Sequence, residues 1–132
     1  MAGKRIVRVV IVDDQSDTRT TLAEFVTETA GAEVVGTVGE QAAAADLVRE
    51  AQPELIVLDL DFISGISGVE LLPELLRNSP DAKVVAMSAH GSDHEAAALG
   101  AGAYVYFPKE SMREVVLSIR AVIDDMHAGR VN

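Results

Sequence analysis

Apolar and polar positions follow two rhythms along this chain. Short β-branched runs at 8–12, 33–38, 55–58, 83–87 and 103–107 have the length and composition of strands. Between them, helical spacing predicts helices over 16–30, 40–51, 68–77, 94–100 and 111–127. The first puts Leu22, Phe25 and Val26 on one face, with Ser16 or Asp17 as its cap. The second is alanine-rich and stops before Pro53, and the fourth is short and ends at Gly100. The third carries Val69, Leu71, Leu72, Leu75 and Leu76, and the fifth a broad stripe from Met112 through Val115, Ile119, Val122 and Met126. Five β–α units in strict alternation predict a parallel sheet with helices on both faces and right-handed crossovers. The runs at 55–58 and 83–87 are nearly continuous, as strands covered on both faces require.

Length and composition narrow the picture. The 132 residues fit one domain over 1–132, with its core at 7–127, and 48% of them are hydrophobic, enough for a real core. No apolar run reaches the 18 or so residues of a membrane span. The basic start, Met1 to Arg5, leads into an apolar run broken by Arg8 and closed by Asp13-Asp14, so it reads as a first strand and not a signal peptide. The tail at 127–132 reads as a frayed end or the start of a linker. Cysteine is absent, which removes disulfides, thiolate metal sites and thiol nucleophiles and suits a cytoplasmic protein. A net charge of −10 with scattered Lys and Arg argues against nucleic acid as a direct partner.

In a parallel sheet of this kind, ligands sit beyond the carboxyl ends of the strands. The first strand ends in Asp13-Asp14 and the third in Asp59, with Asp61 two residues on. The fourth ends in Ser88, and the fifth leads to Lys109. The topology therefore predicts that these groups collect at one edge. Two carboxylates about 4 Å apart repel by roughly 4 kcal/mol at an effective dielectric near 20, so such a cluster holds a proton or a cation. An all-oxygen ligand set suits Mg²⁺, which commonly takes phosphate oxygens as further ligands. Lys109 and Ser88 suit phosphoryl oxygens, and Asp59 has the surroundings of a carboxylate nucleophile. Taken singly, each residue has a plainer reading: Asp13 or Asp17 as a helix cap, Ser88 as a turn hydroxyl, Lys109 as a solvated lysine. His90 and His94 have no spaced acidic or cysteine partner and read as surface residues.

Four segments carry a resemblance: Val-Val-Ile-Val-Asp-Asp ending at Asp14, Pro-Glu-Leu-Ile-Val-Leu-Asp-Leu ending at Leu60, Val-Val-Ala-Met-Ser-Ala-His ending at His90, and Gly-Ala-Tyr-Val-Tyr-Phe-Pro-Lys ending at Lys109. With these the chain resembles the receiver domain of two-component response regulators, the CheY-like superfamily, and in pattern the receivers of LuxR-type regulators. The resemblance implies a flavodoxin-like sheet of order 2-1-3-4-5 and phosphorylation at Asp59. It implies Mg²⁺ as cofactor, held by the side chains of Asp14 and Asp59 and the backbone carbonyl of Asp61, with Asp13 acting largely through a metal-bound water. Ser88 matches the switch hydroxyl, Tyr106 the switch aromatic that turns inward, and Lys109 the phosphoryl-binding lysine. Asp61 and His90 occupy variable positions that tune the lifetime of the phosphoryl group. The implied partner is a histidine kinase or phosphotransfer protein. The implied output surface is formed by the fourth helix, fifth strand and fifth helix, through which a homodimer can form. Such a domain assists its own phosphorylation and dephosphorylation and is not otherwise an enzyme.

The chain departs from the family pattern twice. The segment 60–68 lacks the usual proline and is one residue longer, which bears on the Asp61 carbonyl. Pro108 precedes Lys109 and Glu110 follows it, so the family's cis peptide after the lysine is expected to be absent. Two other readings stay open. A pseudo-receiver is an interaction module without phosphorylation. A haloacid-dehalogenase-type phosphatase would use Asp59-Leu60-Asp61 as its nucleophile motif, but such an enzyme has its further acidic pair after the lysine, whereas here the pair comes first.

Overall fold

A computed structural model describes residues 6–61 and 67–129. Five strands run in chain order as β1 (Val7–Val12), β2 (Ala32–Val38), β3 (Leu55–Asp59), β4 (Lys83–Ser88) and β5 (Val105–Pro108). Five helices alternate with them: α1 (Ser16–Glu28), α2 (Gln41–Ala51), α3 (Gly68–Asn78), α4 (Glu95–Gly100) and α5 (Met112–His127). The sheet is parallel, in the order β2-β1-β3-β4-β5. It is the flavodoxin-like fold that the resemblance implied.

The two-residue period of each strand sorts its side chains to opposite faces. Val10, Val12, Ile56, Leu58, Val84 and Ala86 pack with α2, α3 and α4 on one face. Val9, Ile11, Leu55, Val57, Val85 and Met87 pack with α1 and α5 on the other. Every residue of β3 is buried, which explains the unbroken apolar run there.

The structure corrects the sequence reading at several ends. The first helix stops at Glu28, not residue 30: the Thr29 hydroxyl donates to the Phe25 carbonyl at 2.8 Å, and the chain turns through Gly31 at φ +80°. Neither Ser16 nor Asp17 caps that helix. Gln15 holds the N-cap position without a side-chain cap bond, and its own N–H donates to Asp13 Oδ1 at 2.9 Å. The fifth strand starts at Val105 and not at 103, since Gly102 adopts φ +116° and Ala103 N–H is bonded back to Ala98. Arg8, an interruption in the sequence pattern, has a structural use. Its guanidinium donates to the Gln52 carbonyl at 2.7 Å and to the Ala51 carbonyl, satisfying the open end of α2.

Gly68 opens α3 tightly against the end of β3. Its N–H donates to the Leu60 carbonyl at 3.2 Å, and an added Cβ would lie 2.5 Å from Leu60 Cα and 3.0 Å from the Asp59 carbonyl oxygen. Backbone cannot yield as a side-chain tip can. Gly68→Ala is expected to cost about 1–3 kcal/mol in urea unfolding, with the strain falling on the Asp59 backbone.

Candidate functional site

The parallel register brings the carboxyl ends of the two central strands together. Val12 pairs with Leu58, so Asp13 and Asp59 follow side by side. One carboxylate oxygen each from Asp13, Asp14 and Asp59 lie within 4.8 Å of one another. Asp13 is 0% exposed and Asp59 1%. The Lys109 ammonium stands 3.2 Å from Asp59 Oδ2 and 3.4 Å from Asp13 Oδ2. The sequence placed these four residues together on topology alone, and the structure brings them into one pocket.

Backbone groups fix the acids. The Asp61 N–H donates to Asp59 Oδ1 at 2.9 Å. The Arg19 guanidinium donates to the Asp13 carbonyl at 2.7 Å, tying α1 to the pocket. Pro108 ends β5 opposite Ser88, on an edge strand where the missing N–H leaves no ladder bond unmade. Lys109 N–H then donates to the Ser88 carbonyl at 2.8 Å, so the lysine faces the acids despite the preceding proline. No cis peptide bond occurs among the described residues, as expected for Lys109-Glu110.

The electrostatics follow from burial. Burial pushes the Asp59 carboxyl up to about 7; the Asp61 N–H and Lys109 oppose that rise, and the Asp13 charge adds to it. Burial alone would lower the Lys109 pKa, but the Asp59 and Asp13 carboxylates more than offset it and hold the ammonium above its usual value. The all-oxygen donors, their negative charge and their proximity fit a hard divalent cation.

Ser88 and Asp61 form a second layer. The buried Ser88 hydroxyl donates to Asp61 Oδ1 at 2.8 Å and accepts from the His90 N–H at 3.1 Å. Asp61 Oδ2 accepts from the Ala89 N–H at 2.6 Å. The hydroxyl that the resemblance gives to a phosphoryl group thus meets a carboxylate, as does the neighbouring Ala89 amide. Tyr106 is 6% exposed, with its hydroxyl on the Gly91 carbonyl, so the aromatic ring already lies inside. Burial raises its pKa. The altered part of the loop, 62–66, lies outside the described residues. Sequence reasoning missed the acidic partner of His90 and His94. Asp61 belongs to a different strand end, and no spacing signal connects positions so far apart in the chain.

A doubly wound parallel sheet with an acidic trio, two of its members buried, and a lysine at its carboxyl edge defines a class of α/β proteins built to handle charged ligands there. Comparison with known proteins makes the assignment specific. The family model for the response regulator receiver domain matches residues 9–120. Response regulator GacA of Pseudomonas viridiflava is 34% identical over 119 residues, covering 89% of this chain and 55% of that protein. A protein-glutamate methylesterase/protein-glutamine glutaminase of Vibrio vulnificus is 29% identical over 129 residues, covering 95% of this chain and 37% of that protein. Among solved structures, a LuxR-family two-component response regulator from Aurantimonas sp. SI85-9A1 has a TM-score of 0.79 at 28% identity, covering 90% of this chain and 86% of that one. The response regulator domain of Thermotoga maritima CheB shares the fold, with a TM-score of 0.82 at 23% identity over 94% of this chain and 98% of that one. The chain belongs to the response regulator receiver domain family of two-component signal transduction. It spans between about a third and about half of the length of the curated relatives named here.

Proposed function

We propose that residues 1–132 act as one receiver domain in which Asp59 accepts a phosphoryl group from a histidine kinase or phosphotransfer protein, and that Mg²⁺ is required. The observation that carries this reading is the buried Asp59, grouped with the Asp13 and Asp14 carboxylates and 3.2 Å from the Lys109 ammonium. A carboxylate oxygen of Asp59 forms the new P–O bond as the P–N bond to the donor histidine breaks, with the electron pair leaving on the imidazole nitrogen. Asp13, Asp14 and Asp59, with the carbonyl of Asp61, would hold the metal. Bound there, it supplies positive charge against the charge of the transferred group. Lys109 provides the second positive charge, and Ser88 a donor for a phosphoryl oxygen once Asp61 releases it.

The added charge, about −1.5 to −2 near neutral pH, biases Ser88 and Tyr106 and thereby the surface of α4, β5 and α5. That surface would meet a partner or a second copy. The domain turns over no substrate of its own beyond assisting gain and loss of its phosphoryl group, and it binds no nucleic acid directly. No described helix is long and apolar enough to cross a membrane. The absence of cysteine is in keeping with a cytoplasmic setting.

Acetyl phosphate followed by intact-mass spectrometry tests the reading. Mg²⁺-dependent gain of one phosphoryl group per chain, lost in Asp59→Asn, is the expected result. No labelling with Mg²⁺ would point to a pseudo-receiver. Continuous hydrolysis of p-nitrophenyl phosphate would point to a phosphatase.

A further inference from the structure

A second ligand cluster lies beside the phosphoacceptor pocket and differs from it in kind. Asp61, His90 and His94 each place one ligand atom within 4.8 Å of the others. His90 Nε2 is 3.9 Å from Asp61 Oδ1. The two imidazoles meet edge to face, with ring centres 5.4 Å apart and planes at 89°. The backbone after β4 produces this pairing. Gly91 takes φ +61°, the Asp93 N–H turns back to the His90 carbonyl at 3.2 Å, and the Glu95 N–H to that of Ser92 at 3.1 Å. These turns wind the loop so that both histidines reach the same spot.

The carboxylate of the trio is held from behind. Ser88 Oγ and the Ala89 N–H both donate to it, the arrangement that orients a metal-ligating acid. Two ligands about 2.1 Å from a tetrahedral ion stand roughly 3.4 Å apart, so small side-chain rotations bring the 3.9 Å pair to that span. His90 is well exposed, which leaves an entry path and open coordination positions. Donor chemistry separates the two clusters. Asp13, Asp14 and Asp59 offer only oxygen and suit a hard ion, whereas two imidazole nitrogens with one carboxylate suit a borderline transition metal such as Zn²⁺ or Co²⁺.

We propose that Asp61, His90 and His94 form a transition-metal site at the rim of the phosphoacceptor pocket. It stands on side-chain geometry and goes beyond the phosphoacceptor reading without depending on it. An ion there draws on the carboxylate that holds Ser88, so the site touches the switch residue directly.

The test uses the untagged chain in excess Mg²⁺, added to compete with Co²⁺ for all-oxygen ligands, titrated with Co²⁺. Visible absorption and the histidine ring signals in proton NMR are followed. One Co²⁺ per chain is expected, with paramagnetic broadening at His90 and His94 and none at His127, the third histidine of the sequence. His90→Gln, His94→Gln and Asp61→Asn, checked for folding by circular dichroism, are each expected to weaken binding about tenfold or more, and Asp14→Asn to leave it unchanged. No Co²⁺ uptake in excess Mg²⁺, native affinity in both histidine variants, broadening at His127 alone, or loss in Asp14→Asn would each overturn the proposal.

Discussion

Replacing Asp59 by Asn is expected to stabilise the metal-free protein at pH 8 by on the order of 2–4 kcal/mol. The folded carboxyl titrates near 7, against 3.8 for its ordinary value, because ionising it means placing a charge in a buried site beside Asp13. Each pKa unit is worth about 1.4 kcal/mol, and sharing of charge within the cluster trims the sum. Between about pH 4 and pH 7 the folded chain binds the extra proton and the unfolded chain does not. Stability from this group therefore falls as pH rises through that window and is flat above it. Asn has no such proton, so the gap between variant and native protein opens from pH 4 to 7. Saturating Mg²⁺ should narrow it, since an ion that binds only the folded state stabilises by mass action. Urea unfolding in EDTA at pH 5 and pH 8 measures the effect. Equal stability at pH 8, or a less stable Asn variant, would refute the argument.

Lys109→Met is expected to slow phosphoryl incorporation from acetyl phosphate by about 10²–10³-fold, the usual loss when one preorganised donor to a developing charge is removed. The ammonium is 3.2 Å from Asp59 and 3.4 Å from Asp13, only 14% exposed, and held charged by those acids. Its charge is thus already in place beside both carboxylates. Methionine keeps the stem and removes only the charge. Mg²⁺ affinity, measured by calorimetry, should be kept or improved, because a competing cation has gone. Time courses by mass spectrometry at saturating Mg²⁺ isolate the lysine; a change within about threefold would assign it to structure alone.

The strands and the acidic pocket were legible because their signals are local. β-branched runs mark β1, β3 and β4, and strict alternation implies one parallel sheet whose loops share an edge. The strand order rested on the resemblance, since alternation alone permits several. The errors came where partners are remote. Ser16 and Asp17 look like plausible caps for α1, but both lie inside the helix, whose N-cap is Gln15. Arg8 looks like a flaw in a hydrophobic run, and its use at the end of α2 depends on carbonyls more than 40 residues away. His90 and His94 looked solitary because Asp61 reaches them from the next strand. For Arg8 and the two histidines, only the fold supplies the partner.

Because Val12 and Leu58 are paired partners on β1 and β3, the spacing between Asp13 and Asp59 is set by ladder hydrogen bonds inside the core. A one-residue slip would send the alternate valines and leucines of a strand into the opposite helix layer, where the packing partners are different. The Asp13–Asp59 spacing is consequently insulated from changes in the connecting segments, which lie outside the ladder. Sequence drift in the loops can remodel the surroundings of the acidic cluster without changing the spacing of Asp13 and Asp59.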